Sequence, residues 1–365
     1  MNAVLQPNDP AAIRPFQRSV PETELIEMRK RINATRWPEQ EPITDAPQRV
    51  SLATLQKLAG YWGTEYDWRP CAARLSALPQ FITEIDGVDI HFVHVRSKHE
   101  NALPIIVTHG WPGSLVEQLK IIDPLTNPTA HGASASDAFH VVIPSRPGCG
   151  FSGKPASAGW DCPHIAQACS PPTGLGLDES RAFERLAFFF ARGLSYAQQM
   201  ATHPVALCGI GDSPVGLAAW FLDNELWSDE LLARAFEGQG EGLTRDDLLD
   251  NITFTWLTNT AISSARLYRE NRLPFFAPMG VTVPIAVSAF PDETFQVPRS
   301  WAERAYPRLI HYNKVAKGGH FAAWEQPGLL SEEVRAGFRS LRNLLPDEHR
   351  AHDVPVVSFG GRGGQ

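Results

Sequence analysis

Two apolar runs, PIIVT (104–108) and FHVVI (139–143), each break directly into a loop rich in glycine and proline. HGWPGS follows the first and PSRPGCGFSG the second. Short apolar runs without alternation read as strands covered on both faces, the mark of a parallel sheet. A helix pattern near 114–123 lies between them, as a crossover between parallel strands requires. In an open α/β sheet, ligands bind among the loops at the carboxyl ends of the strands. These two loops are therefore the first place to look for chemistry.

The flanking segments fit one α/β architecture. Upstream, PETELIEMRKRI offers Pro21 at a helix start, Glu22 and Glu24 in the first turn, and Leu25, Met28 and Ile32 on one face. Trp37-Pro38 stops that helix, Ser51 caps a second with Leu55, Leu58 and Trp62 along one stripe, and Pro70 separates a third. FITEID and VDIHFVHV meet at Asp86-Gly87, a strong hairpin signal. Downstream, helical patterns at 180–200 and 214–268 replace strands. IAVSAF (285–290) and LIHYNKV (309–315) then resume the buried-strand pattern, and SEEVRAGFRSLRNLL closes as an amphipathic helix. The tail GGRGGQ reads as disordered. No internal repeat is visible.

Composition narrows the function. The chain has 365 residues, 43% hydrophobic and 20% charged, ordinary for a globular protein. A net charge of −7 argues against a nucleic-acid partner. Five scattered cysteines without a CxxC pair read as free thiols in a reducing, cytoplasmic compartment. No apolar run reaches membrane-helix length, so no membrane anchor is expected. Histidines in no HExxH pattern give no metal site, and nothing calls for a cofactor. A homodimer stays open.

The chemistry centres on KGGHFAAWEQP. His320 follows a strand pattern on a Gly-Gly turn, and imidazole is the side chain that titrates near neutral pH. Read with IRPFQRSVPETELIEMRKRINATRWPE, YDWR, LPQFITEIDGVDIHFVHVRS, HGWPGS, PGCGFSG, DSPVGLAAW and LLDNITFTWLTNTAISSARLYREN, the chain resembles epoxide hydrolases of the microsomal and juvenile-hormone type, from about residue 13 to 345. The resemblance implies an epoxide-hydrolase N-terminal domain (11–97), an α/β-hydrolase domain in two parts (98–179 and 281–348) and a helical lid (180–280), with a tail at 349–365. It implies hydration of a small apolar epoxide to a vicinal diol. His320 matches the family's water-activating base and Glu293 in FPDETF its orienting acid, with Asp292 as competitor. Tyr268 and Tyr196 match the phenols that hold the epoxide oxygen. His109, Gly110 and Trp111 match the oxyanion loop.

One family feature is not found. The nucleophile of these enzymes is an aspartate on a Gly-Gly-Asp-Trp-Gly turn after the equivalent of GWDCPHIAQA. Here the chain runs from Ala168 through CSPPTGLGLD into ESRAFERLAFF. A strand–elbow–helix unit, roughly 50 residues or more with its following strand, reads as deleted, and a central strand with it. Asp212 in VALCGIGDSPVGLAAW is the candidate substitute, at the tip of a strand–turn–helix reading. Against it, an elbow wants small residues two places either side, and here those are Ile210 and Pro214. The plainer reading makes Asp212 a helix N-cap before Pro214, and Asp161 a similar cap. Three outcomes stay open: an epoxide binder without the ester route, a hydrolase using Asp212 or water activated directly by His320, and a non-catalytic or defective product.

Overall fold

The computed structural model describes residues 12–39, 50–156, 176–189, 193–223, 229–238, 242–270 and 281–342. Asp161, the segment from Ala168 to Thr173 and the tail lie outside them. Seven strands are present among the described residues: β1 (Arg14–Pro15), β2 (Gln80–Ile85), β3 (Val88–Val95), β4 (Leu103–Ile106), β5 (Phe139–Pro144), β6 (Ile285–Ala289) and β7 (Leu309–Lys314). They form a five-stranded sheet in the order β1-β2-β3-β5-β4 and a separate pair, β6-β7. β4–β5 and β6–β7 run parallel; the other pairs are antiparallel.

Local chemistry explains most of this. Asp86 (φ 48°) and Gly87 (φ 77°) both take the left-handed conformation that a tight hairpin needs, and β2 pairs with β3 from Ile85–Val88 to Gln80–Val93. Phe139, Val141 and Ile143 of β5 are fully buried at period two, each contributing about 2 kcal/mol of hydrophobic stabilisation. The first helix, Glu22–Asn33, buries Leu25, Met28 and Ile32. Ser51 caps Leu52–Thr64 by accepting from the Thr54 N–H. β4 departs from the buried-strand expectation. It is the edge of its sheet among the described residues, and Ile106 is 59% exposed. Among the described residues no strand joins the five-stranded sheet to the β6-β7 pair.

Two connections hold the parts together. The helix Pro327–Phe338 packs on both Leu119–Thr126 and the β6–β7 pair. There the Arg335 guanidinium donates to the Pro124 carbonyl (3.2 Å), and Glu333 accepts from Ser288, His311 and Asn313. The helix Arg245–Leu257 is buried nearly all round, and its polar residues are paired across the molecule. The Trp62 indole N–H donates to Thr253 (3.0 Å), Tyr66 to Asp250 (2.7 Å), Lys120 to Asp247 (2.7 Å), and the Asn251 amide to the Pro112 carbonyl (2.9 Å). Most buried polar groups in folded proteins are hydrogen-bonded. This helix therefore fixes the N-terminal helices and the HGWPGS loop to one frame.

Candidate active site

His320 sits where β7 ends. The preceding glycines are demanded by space: Gly318 has φ 104°, and a Cβ there would stand 3.0 Å from Phe290 and Gln326. A Cβ on Gly319 would press on the Asp292 backbone, which it bridges as a parallel partner. This close approach seats His320 against the loop after β6. Its Nδ1 lies 2.9 Å and 3.2 Å from the two Glu293 carboxylate oxygens. Glu293 also accepts from the Thr294 N–H (2.8 Å) and hydroxyl. With Nδ1 donating, Nε2 is left to accept a proton.

The electrostatics follow from the pairing. Burial works against the imidazolium, but the Glu293 hydrogen bond and charge, with Glu117 and Glu325 behind, hold His320 above its ordinary value. Burial would raise Glu293, and hydrogen bonds from His320 and Thr294 outweigh it, so the carboxyl stays below the usual range. Between the two acids left open by the sequence, Glu293 makes the contact, and Asp292 contributes its backbone to the turn.

An aromatic cluster forms from the loop after β4 and the helices Ser195–Thr202 and Ala261–Glu270. Trp111, which forms a cis peptide bond with Pro112, is 6% exposed. Its ring stacks on Tyr196 (5.3 Å between centroids, 11°) and meets Tyr268 edge-on (5.8 Å, 87°). The two tyrosines, from helices Ser195–Thr202 and Ala261–Glu270, meet edge-on at 5.8 Å. Burial raises the Tyr196 phenol, the Tyr268 hydroxyl lowers it, and the Glu293 charge raises it again. Tyr196 thus stays protonated, and it feels the carboxylate that orients His320. The structure brings five expected residues, His320, Glu293, Trp111, Tyr196 and Tyr268, into one neighbourhood.

Other expectations land elsewhere. His109 is buried, and its Nδ1 contacts the Gly110 carbonyl (2.9 Å) while Nε2 accepts from the Arg146 N–H (3.3 Å). Burial pushes it down to about 4, so it is neutral and ties the loop after β4 to the loop after β5. The Gly110 N–H is turned towards the Glu117 carboxyl. Asp212 ends the short helix Cys208–Asp212; its side chain is 83% exposed and ion-paired with Arg31 at 2.6 Å. No strand precedes it, so the elbow reading has no local support. The cap before Pro214 is Ser213, which accepts from the Gly216 N–H, and not Asp212. Two buried carboxyls whose charge reaches His320 were not foreseen, Glu117 and Glu325. The one signal for Glu117 is Ser114-x-x-Glu117, which has the form of an ordinary helix-capping box.

The family of the epoxide hydrolase N terminus matches residues 13–118. A protein of Stigmatella aurantiaca, named as a member of the epoxide hydrolases, is 42% identical over 382 aligned positions, covering 90% of this chain and 86% of its own length. The chain belongs to the epoxide hydrolases. Epoxide hydrolase 1 of Sus scrofa is 31% identical over 404 positions, covering 89% of this chain and 88% of its own. The Aspergillus niger epoxide hydrolase structure superposes with a TM-score of 0.74 at 25% identity, over 90% of this chain and 96% of that one. The fold is accordingly that of the α/β-hydrolase epoxide hydrolases. Both relatives need more positions than this chain supplies: 90% of 365 residues is about 330, against 382 aligned, so roughly 50 positions of the Stigmatella protein face gaps here. That exceeds a βαβ unit of about 30 residues. Among the described residues, no helix is long and apolar enough to cross a membrane, and no cluster of metal-ligating side chains is found.

Proposed function

We propose that this chain hydrates a small apolar epoxide to a vicinal diol, with His320 activating water for direct attack on the ring. The observation that carries it is the Glu293–His320 pair at 2.9 Å, with a buried, protonated Tyr196 beside Tyr268 within reach of the Glu293 charge. His320 Nε2 takes a proton from water as the water oxygen bonds to an epoxide carbon. The C–O bond breaks, and a phenol gives its proton to the leaving alkoxide. The phenolate and imidazolium then return to their starting states by proton exchange, so that one epoxide and one water give one diol. Trp111, Tyr196 and Phe221 supply an apolar wall.

The direct route is favoured over an ester route by where the aspartates stand. Among the described residues, the carboxylate hydrogen-bonded to His320 is Glu293, and Asp212 is committed to Arg31 at the surface. The roughly 50 unmatched positions and, among the described residues, a sheet left in two parts support loss of the elbow segment. Free Cys71, Cys149 and Cys208 fit a reducing compartment such as the cytoplasm. The test is single-turnover hydrolysis of styrene oxide in ¹⁸O-labelled water, with intact-mass analysis of His320→Gln. Direct attack puts the label into the diol on the first turnover, and His320→Gln forms no adduct. An adduct with unlabelled first-turnover diol identifies an ester route, and absence of any diol from the wild type overturns the proposal.

A further inference from the structure

Beside His320 lies a carboxyl that the reaction above does not use. Glu117 is in the turn Leu115–Gln118, which packs against the helix Ala322–Glu325 immediately after His320. The residue is 6% exposed. Its Oε1 accepts from the Gln118 amide at 2.6 Å, whereas its Oε2 is buried with no hydrogen-bond partner. An oxygen buried without a well-formed hydrogen bond disfavours the charged carboxylate, and the protonated form turns the same atom into a donor. The Glu117 carboxyl fills the space beside Gly113, where a Cβ would stand 1.7 Å from Oε2 and displace it.

The surrounding charges are committed elsewhere. Lys120 pairs with Asp247, Asp250 with Tyr66 and Arg74, and Glu325 accepts from the Phe321 N–H. Arg146 holds the His109 carbonyl, and His109 is neutral. Burial pushes Glu117 up to about 7, with Gln118, the His320 charge, the Gly110 N–H and Arg146 opposing it. His320 is raised in turn by Glu117, after its larger interaction with Glu293.

We propose that Glu117 is the proton store of this site, a positioning residue that acts through His320. This rests on the reading of His320 as the base. When the imidazole takes a proton from water, its new positive charge draws the proton off Glu117 into solvent, and the resulting carboxylate stabilises the imidazolium through space. When the imidazole is reset, its proton passes to Glu117, and the phenolate recovers one from solvent. Two groups that share one proton titrate as a pair.

The test follows the imidazole directly, in full-length protein with ¹³C-labelled histidine rings, the His320 signal being assigned by its loss in His320→Gln. The wild type should show a two-step curve. Glu117→Gln should show one step, shifted to lower pH by about half a unit or more, a roughly threefold weaker hold on the proton. Superimposable curves overturn the proposal. Should Glu117→Gln fail to fold, the infrared C=O band of the protonated carboxyl decides the matter: its midpoint should rise in pH in His320→Gln, and an unchanged midpoint overturns the proposal. Coupling without diol formation would sink the epoxide reading and leave the Glu117–His320 pair standing. Turnover without coupling would do the reverse.

Discussion

The buried position of Glu117 makes a quantitative prediction about folding that is separate from its coupling to His320. Its ordinary value of 4.5 rises to about 7, and each pKa unit is worth about 1.4 kcal/mol. A charged Glu117 therefore costs the fold about 3 kcal/mol. The sign follows from proton counting. Below pH 4.5 the carboxyl is neutral in both states and costs nothing. Between pH 4.5 and 7 the unfolded chain has released the proton and the folded protein still holds it, so stability falls as pH rises. Above pH 7 the whole cost is present. Glu117→Gln stays neutral throughout and keeps an acceptor for the Gln118 amide. Whatever the new amide's own N–H groups cost is the same at every pH. In urea unfolding at pH 5 and pH 8, the stability of Glu117→Gln relative to wild type should improve by about 2–3 kcal/mol between the two. A difference that does not change with pH refutes the burial argument.

Three further outcomes are expected. Tyr66→Phe removes the donor to buried Asp250 and should cost about 2 kcal/mol in urea unfolding, the range for a hydrogen bond to a charged group; a loss under about 0.5 kcal/mol would show that the clasp is not structural. Glu293→Gln removes the charge that holds His320 above its ordinary value, so the acid limb of kcat/KM for epoxide hydration should move to lower pH, whereas His320→Gln should lower the rate about 10²–10⁴-fold. Asp212→Asn should leave diol formation unchanged and alter stability by less than about 1 kcal/mol, as exposed ion pairs do; abolished turnover would restore Asp212 as nucleophile.

Much of the fold was legible because it rests on local signals. The Asp86-Gly87 hairpin, the Ser51 cap and the Leu25, Met28 and Ile32 stripe depend on neighbours within a few residues, and the structure has all three. The choice between Asp292 and Glu293 was not legible, since adjacent residues in a loop point according to the turn, and the turn is set by Gly318 and Gly319 approaching from β7. Asp212 misled for a related reason. Ile210-Gly-Asp-Ser-Pro214 supports several turns, and the helix at Cys208–Asp212 with the Ser213 cap was chosen by packing against helices far along the chain. Glu117 was passed over because a glutamate three places after a serine has the form of a surface cap, and its burial depends on the helix after His320.

The sequence by itself determined which side chains are available and which local turns they occupy: an imidazole on a two-glycine bend, a carboxyl after β6, phenols on two helices, and an indole after β4. Their meeting was decided by tertiary structure. The helix Pro327–Phe338 grips both the helix Leu119–Thr126 and the β6–β7 pair, and the buried helix Arg245–Leu257 anchors the Trp111–Pro112 loop. Short-range periodicity carries no information about contacts between residues some two hundred positions apart, and pKa values near neutrality arise from those contacts.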